Sequence, residues 1–331
     1  MAGFFYAHEA YLYISLAKLT LLSMRIFYFF YFLIYQMFIS AIENVARFTR
    51  PIHSIMRTYG GKQVIPGAAT IFFVNNEGVA ITCKHVAEMI LNSDNINQQF
   101  ARFREERQPL LNNPKFKQLL KGLELKYKYQ PETTIQLKNN FVDSVDRISG
   151  FDVHLHPTLD LAIIRFKGFG KILYEDCAKF KKNGDDIKQG KFLCRLGFPF
   201  PEFSNFNYNQ QQDDIEWTNT GVNVSPRFPI EGMVTRFLAD QQHGMYGIEM
   251  STPGLRGQSG GPLFDENGVI CGMQFSTKHL HLGFDMEDKE VMINNSVRRI
   301  SDYSFIHLGQ CIHANTIKAF LDQHGVRYEE A

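Results

Sequence analysis

The chain has 331 residues and a formal net charge of +1, from 35 Lys and Arg against 34 Asp and Glu. This length suits one large domain or two lobes with cores of their own. The balanced charge gives no indication of a polyanionic partner, so no nucleic acid is predicted. The sequence also has no metal-ligand spacing and no phosphate-binding glycine loop, so neither a metal nor a cofactor is predicted.

Residues 1–56 differ from the rest of the chain and are predicted to be a hydrophobic N-terminal segment. Within them, residues 26–42 are uncharged and mostly apolar, and ~17 residues is the lower limit for a helix that spans a bilayer. More basic residues follow this run than precede it, which favours a cytoplasmic position for the remainder. We therefore expect membrane association through residues 26–42. Two alternatives stay open: an amphipathic or buried helix, and a translation start at Met37 or Met56.

Residues 57–330 are predicted to form one mainly β domain with two lobes, about 57–170 and 185–325. In the first lobe, strand-like runs lead to His85, and another β-rich run follows Asp160. Between these two residues lies a helical insertion, predicted from the helical spacing of the charged segments 96–107 and 109–126.

The second predicted lobe contains several strands, two loops and a final helix. Strands are expected at 192–199, 230–237, 245–250 and 305–313, loops at 202–223 and 278–303, and a helix at 316–323. Asn267 and Gly268 between apolar runs indicate a β-hairpin.

The hexapeptide 257–262, Gly-Gln-Ser-Gly-Gly-Pro, carries the strongest chemical signal. A serine hydroxyl needs a base to become a nucleophile, and its reaction needs donors for the oxyanion that forms. The flanking glycines allow a tight turn that points the N–H groups of Gly257 and Ser259 into one oxyanion hole. The pattern also fits the Gly-x-Ser-x-Gly elbow of α/β-hydrolases. That alternative is disfavoured, because strand follows strand here and too few residues remain for the acid and the histidine.

The order His85, Asp160, Ser259, each beside a predicted strand, resembles the trypsin/chymotrypsin-like serine peptidases. The likeness is strongest to the bacterial trypsin-like peptidases and to the protease domain of the HtrA type, without its peptide-binding domain. It implies an all-β fold of two six-stranded antiparallel β-barrels, here with the helical insertion, a C-terminal helix and the N-terminal hydrophobic helix. It also implies a serine endopeptidase acting on polypeptides through a His85–Asp160–Ser259 triad.

The resemblance further implies a substrate pocket formed by Pro253, Ser276, Thr277 and Gly309. Pro253 lies six residues before the serine, where the family often places the pocket floor. Because no acid is visible there, we expect small or medium uncharged P1 residues to be preferred over basic ones. Secreted members often carry a cysteine directly after the histidine, where this chain has Val86, and we expect its five cysteines to be free thiols. Two other functions stay open: a catalytically weak peptide-binding or scaffold module, and an esterase using the same triad.

Overall fold

The computed structural model describes residues 38–293 and 296–331, which form a mainly β protein. The sixteen strands are β1 (Thr49–Thr58), β2 (Ile65–Phe73), β3 (Val79–Thr82), β4 (Thr134–Phe141), β5 (Gly150–Leu155), β6 (Ala162–Lys167), β7 (Lys179–Phe180), β8 (Phe192–Gly197), β9 (Phe206–Asn209), β10 (Asp214–Trp217), β11 (Phe228–Asp240), β12 (Gly244–Met250), β13 (Pro262–Phe264), β14 (Ile270–Ile293), β15 (Ser296–His313) and β16 (Glu329–Glu330). The α-helices are α1 (Ile39–Ala46), α2 (Lys84–Arg107), α3 (Phe116–Tyr127) and α4 (Ala314–Gln323), and 3₁₀ turns occupy Gln108–Leu110 and Gly184–Asp186.

Two large sheets make up most of the β structure. The first has six strands in the order β4-β1-β2-β3-β6-β5, with no ladder between its edge strands β4 and β5 among the described residues. The second has eight strands, and six of them close into a ring because β13 pairs with both β8 and β14. The prediction of a mainly β protein is therefore confirmed. The helical insertion is found in α2 and α3, and the C-terminal helix in α4.

One hydrophobic core joins the N-terminal helix to both sheets. It includes Phe72 from the first sheet and Phe264 from the second, both fully buried. Phe38 and Val45 of the α1 segment are buried in the same cluster, and the Phe38 ring meets the Phe264 ring edge-on at 6.3 Å. Burial of each such side chain stabilises the fold by roughly 1.5–3 kcal/mol. This core fixes the two sheets relative to each other.

The predicted N-terminal boundary at residue 57 is wrong. Strand β1 begins at Thr49 and pairs with both β2 and β4, so it is an inner strand of the first sheet. At the end of the predicted membrane segment, Phe38 and Ala41 are buried in the packed core, whereas Ile39 is exposed. Residues 26–37 of that segment lie outside the described residues. Within the described ranges, no helix has both the length and the apolar character needed to cross a membrane.

Two predicted loops contain strands. Residues 202–223 include the β9–β10 pair. The second predicted loop is 278–303; its described residues, 278–293 and 296–303, lie in the long β14–β15 pair, whose cross-strand pairs run from Gly272–His313 to Ile293–Ser296. All five cysteines are free thiols, as expected.

Candidate active site

The base and the acid of the predicted triad are joined by two hydrogen bonds. His85 is the second residue of α2, and its Nδ1 atom lies 2.7 Å from Oδ2 of Asp160. The backbone N–H of His85, which has no partner within the first helical turn, donates to Oδ1 of Asp160 at 3.0 Å. A carboxylate that accepts at Nδ1 requires the proton on Nδ1, so the lone pair of Nε2 is left for a substrate proton. The side chain of His85 is half exposed.

Asp160 is positioned by a turn that another histidine organises. The Nδ1 atom of His156 accepts hydrogen bonds from the backbone N–H groups of Thr158 at 3.3 Å and Leu159 at 3.0 Å. Lys84 closes the same turn by donating to the His156 carbonyl at 3.0 Å. Burial lowers the pKa of His156, and the neighbouring His243 and Lys84 lower it further, which keeps the ring neutral and able to accept. The structure thus gives His156 a positioning role.

The serine turn is built by glycines that no other residue can replace without strain. Gly257 has φ +90°, and a Cβ there would lie 2.5 Å from the carbonyl oxygen of Phe198. Gly260 has φ +86°, and a Cβ there would lie 2.1 Å from the Thr70 carbonyl oxygen. These positive φ values are the reason for the glycine-rich sequence around Ser259.

Thr70 of β2 holds the serine turn against the first sheet. Its backbone N–H donates to the Ser259 carbonyl at 3.0 Å, and its hydroxyl donates to the Gly257 carbonyl at 2.7 Å. Among the described residues, neither the Gly257 N–H nor the Ser259 N–H donates to a protein acceptor. The two N–H groups predicted to form the oxyanion hole are therefore available to a ligand.

Ser259 and the His85–Asp160 pair have a common neighbour. The link is Cys83, the residue before α2, whose buried thiol donates to the Gln274 carbonyl at 3.3 Å. Burial raises the pKa of this thiol well above its usual value, the charge of Asp160 adds to the rise, and the neighbouring Gly260 N–H and Ser259 hydroxyl oppose it. No hydrogen bond between described residues joins the Ser259 hydroxyl to the His85 ring. Such contacts often tighten only when substrate is bound.

Cys83, His85 and Asp160 are also the one group of metal-ligand side chains that the described ranges contain. Each offers an atom within 4.8 Å of the other two. The Nδ1 atom of His85 and both carboxylate oxygens of Asp160 are already paired with each other. The group is thus fully explained by the histidine–aspartate pair, and no ion is needed to account for it.

The four predicted pocket residues lie close together beside the serine turn. The Thr277 hydroxyl donates to the Gly254 carbonyl at 2.8 Å and accepts from the Gly254 N–H at 3.0 Å, which joins the segment after Pro253 to β14. Gly309 on β15 is the partner of Thr277 in the strand ladder, and the Ser276 carbonyl accepts from the Gln274 side chain at 2.5 Å.

Two residues that sequence reasoning missed lie against the predicted pocket residues. Arg195 contacts Pro253 and Gly309 directly, and Gln274 lies between Arg195 and Ser276. Their side chains are buried, whereas an arginine and a glutamine in a sequence are normally read as surface residues.

Comparison with known proteins gives a family match and distant structural neighbours. No curated protein matches the chain. Among solved structures, the Rv3671c protease from M. tuberculosis in its active form is 13% identical, with a TM-score of 0.44, and the match covers 88% of this chain and 86% of that one. The HtrA-type protease AlgW with a tripeptide is also 13% identical, with a TM-score of 0.43 over 87% of this chain. This chain covers 64% of the length of AlgW.

The family model that matches is the trypsin-like peptidase domain, over residues 69–273. The matched range is more than half of the chain and includes His85, Asp160 and Ser259. The chain therefore belongs to the family of trypsin-like peptidases.

Proposed function

We propose that the protein is a serine endopeptidase that hydrolyses peptide bonds of polypeptide substrates through a Ser259–His85–Asp160 triad and an acyl-enzyme. We further infer that its two sheets represent the paired six-stranded barrels of chymotrypsin-like enzymes, with the active site in the cleft between them. The observation that carries the proposal is the double hydrogen bond between Asp160 and His85. That pairing fixes the ring in the tautomer in which Nε2 acts as a base.

In the first half of the reaction, the Ser259 hydroxyl oxygen forms a bond to the carbonyl carbon of the substrate while Nε2 of His85 takes its proton. The negative charge that develops on the carbonyl oxygen is accepted by the N–H groups of Gly257 and Ser259. The C–N bond then breaks, and the same proton passes from Nε2 to the leaving amine. Asp160 stays ionised and stabilises the imidazolium between these two transfers.

In the second half, a water molecule replaces the amine and is activated by Nε2. Its oxygen forms a bond to the acyl carbon, the bond to Ser259 breaks, and the proton returns to the serine oxygen. The products are a carboxylic acid and an amine. No electrons are exchanged, and only water is consumed.

The proposal is tested by hydrolysis of an unfolded protein substrate by the wild type, Ser259→Ala and His85→Ala. We expect each variant to lose about 10⁶ in kcat, the effect of such replacements in proteases of known mechanism. Full activity in Ser259→Ala would overturn the proposal. Cleavage of simple esters without any cleavage of polypeptides would point to an esterase instead, and binding of peptides without turnover would point to a scaffold module.

A further inference from the structure

Arg195 carries a buried positive charge without a carboxylate partner. This residue of β8 is fully buried. Its Nη1 donates to Oε1 of Gln274 at 2.6 Å, and its Nη2 donates to the hydroxyl of Thr252 at 2.6 Å and to the Pro253 carbonyl at 3.1 Å. The Nε atom has no partner. All of these acceptors are neutral, and no acid of the described residues lies within ion-pair distance.

Such an arrangement is costly, so it needs an explanation. Burying a charge without a counter-ion costs several kcal/mol even after the protein relaxes. Burial accordingly lowers the pKa of Arg195, yet a guanidinium stays charged at any physiological pH. The neutral acceptors offset only part of this cost. A cation kept in this state is suited to receive an anion from outside the chain.

The guanidinium lies against two of the residues predicted to form the substrate pocket. It bonds to the Pro253 carbonyl, and a Cβ on Gly309 would lie only 2.1 Å from Nη1, so the absence of a side chain at Gly309 makes room for the charge. Pro253 and Gly309 are the residues expected at the floor and wall of the pocket. The pocket floor is therefore cationic, although the predicted floor residue itself is a proline.

The side chain of Gln274 occupies the space between the serine turn and this cation. Its backbone carbonyl accepts from the Gly260 N–H at 2.9 Å, which places Gln274 beside the nucleophile. Its amide nitrogen donates to the Ser276 carbonyl at 2.5 Å, and a Cβ on Gly254 would lie 2.2 Å from that nitrogen, so the amide spans the pocket from wall to wall. Its amide oxygen takes the position on Arg195 that a carboxylate oxygen would take.

We propose that the pocket selects an acidic P1 residue, glutamate or aspartate, whose carboxylate displaces the Gln274 amide and pairs with Arg195. The inference rests on the proposed endopeptidase function. It replaces the expectation of an uncharged P1 residue. That expectation rests on the predicted pocket residues and does not include Arg195 on strand β8. A carboxylate can form two parallel charge-assisted hydrogen bonds with a guanidinium, whereas the Gln274 amide oxygen accepts one, from Nη1.

The test uses four peptides that are identical except for P1, which is Glu, Gln, Leu or Lys. We expect the wild type to cleave after Glu with a kcat/KM about 10- to 100-fold above that for Gln, which corresponds to the worth of one hydrogen bond to a charged group. Arg195→Met should reduce the Glu-to-Gln ratio to one or below. The control Arg299→Met removes an exposed arginine of strand β15 and should keep the wild-type ratio.

A second variant keeps the test informative if Arg195→Met does not fold. Gln274→Glu preserves the shape of the side chain and supplies Arg195 with an internal carboxylate. We expect it to abolish the preference for Glu over Gln, because the substrate carboxylate then meets a filled and neutralised site. A purely structural Arg195 would leave the ratio in both variants as in the wild type.

Different results would contradict the acidic P1 preference and the endopeptidase function on which it rests. If the wild type cleaves these peptides but prefers Leu or Lys, or does not distinguish Glu from Gln, the acidic P1 preference is wrong and the endopeptidase function stands. If the wild type cleaves no polypeptide, and a fluorophosphonate does not label Ser259, the endopeptidase function is wrong and the P1 proposal falls with it.

Discussion

Replacement of Asp160 by asparagine tests the His85 tautomer on which the proposed mechanism depends. Asp160 now accepts twice from His85, at 2.7 Å from Nδ1 and at 3.0 Å from the backbone N–H. An asparagine has a single oxygen. Because the backbone N–H can only donate, that oxygen must face it, and the amide NH₂ then points at Nδ1.

This rearrangement reverses the tautomer of the His85 ring. A donor facing Nδ1 requires the lone pair there, which moves the ring proton to Nε2, and a protonated Nε2 cannot accept the proton of Ser259. The opposite orientation of the amide would set its NH₂ against the backbone N–H, donor against donor. We therefore expect a loss of about 10⁴ in kcat, or about 5.4 kcal/mol, which is the loss measured for the same change in well-characterised triads.

The assay is kcat for one peptide substrate, with thermal unfolding of each variant as the check on folding. The matched control is Asp152→Asn, since Asp152 lies on β5 and pairs only with the exposed Lys167. We expect the control to keep wild-type kcat. An Asp160→Asn enzyme that folds and retains kcat within about tenfold of the wild type would refute the orienting role.

Two further predictions concern stability and location. His53 and His313 are buried, and burial lowers the pKa of each from 6.5 to about 4. The unfolded chain therefore binds more protons than the folded protein between pH 6.5 and 4. The free energy of unfolding should fall as the pH falls through this window, by up to about 3 kcal/mol for each histidine. Urea unfolding at several pH values should show this fall, and His53→Gln should reduce the slope of the free energy against pH by about one proton. If residues 26–37 contribute to a membrane anchor, the full-length chain should stay in the membrane pellet through a carbonate wash, and its release into the supernatant would contradict the anchor.

The residues of the proposed triad could be singled out from the sequence because each is tied to a local pattern. The glycines around Ser259 are required by positive φ values at Gly257 and Gly260, and such a requirement leaves a sequence signature. His85 follows a short buried strand, and Asp160 precedes another. Each residue is therefore recognisable from its immediate neighbours.

The place of Arg195 against the predicted pocket residues could not be predicted in the same way, because it depends on the direction of a side chain across a closed sheet. Arg195 lies in an apolar run in which every residue from Leu193 to Gly197 is buried. Nothing in that run shows that Arg195 points towards Gly309, a residue more than a hundred positions later. The strands within 278–303 could not be predicted either, since the described residues of this strand pair are mostly exposed and show no core-facing alternation. Contacts between segments far apart in the sequence thus determine these features, and local sequence patterns do not reveal such contacts.

The central claim is that Ser259 is an activated nucleophile, and covalent labelling tests it most directly. The full-length protein is treated with a fluorophosphonate, digested, and the adduct located by mass spectrometry. We predict one adduct, on Ser259, that does not form in His85→Ala. The absence of labelling in a protein that is folded, or an adduct on another residue with Ser259 unmodified, would contradict the claim.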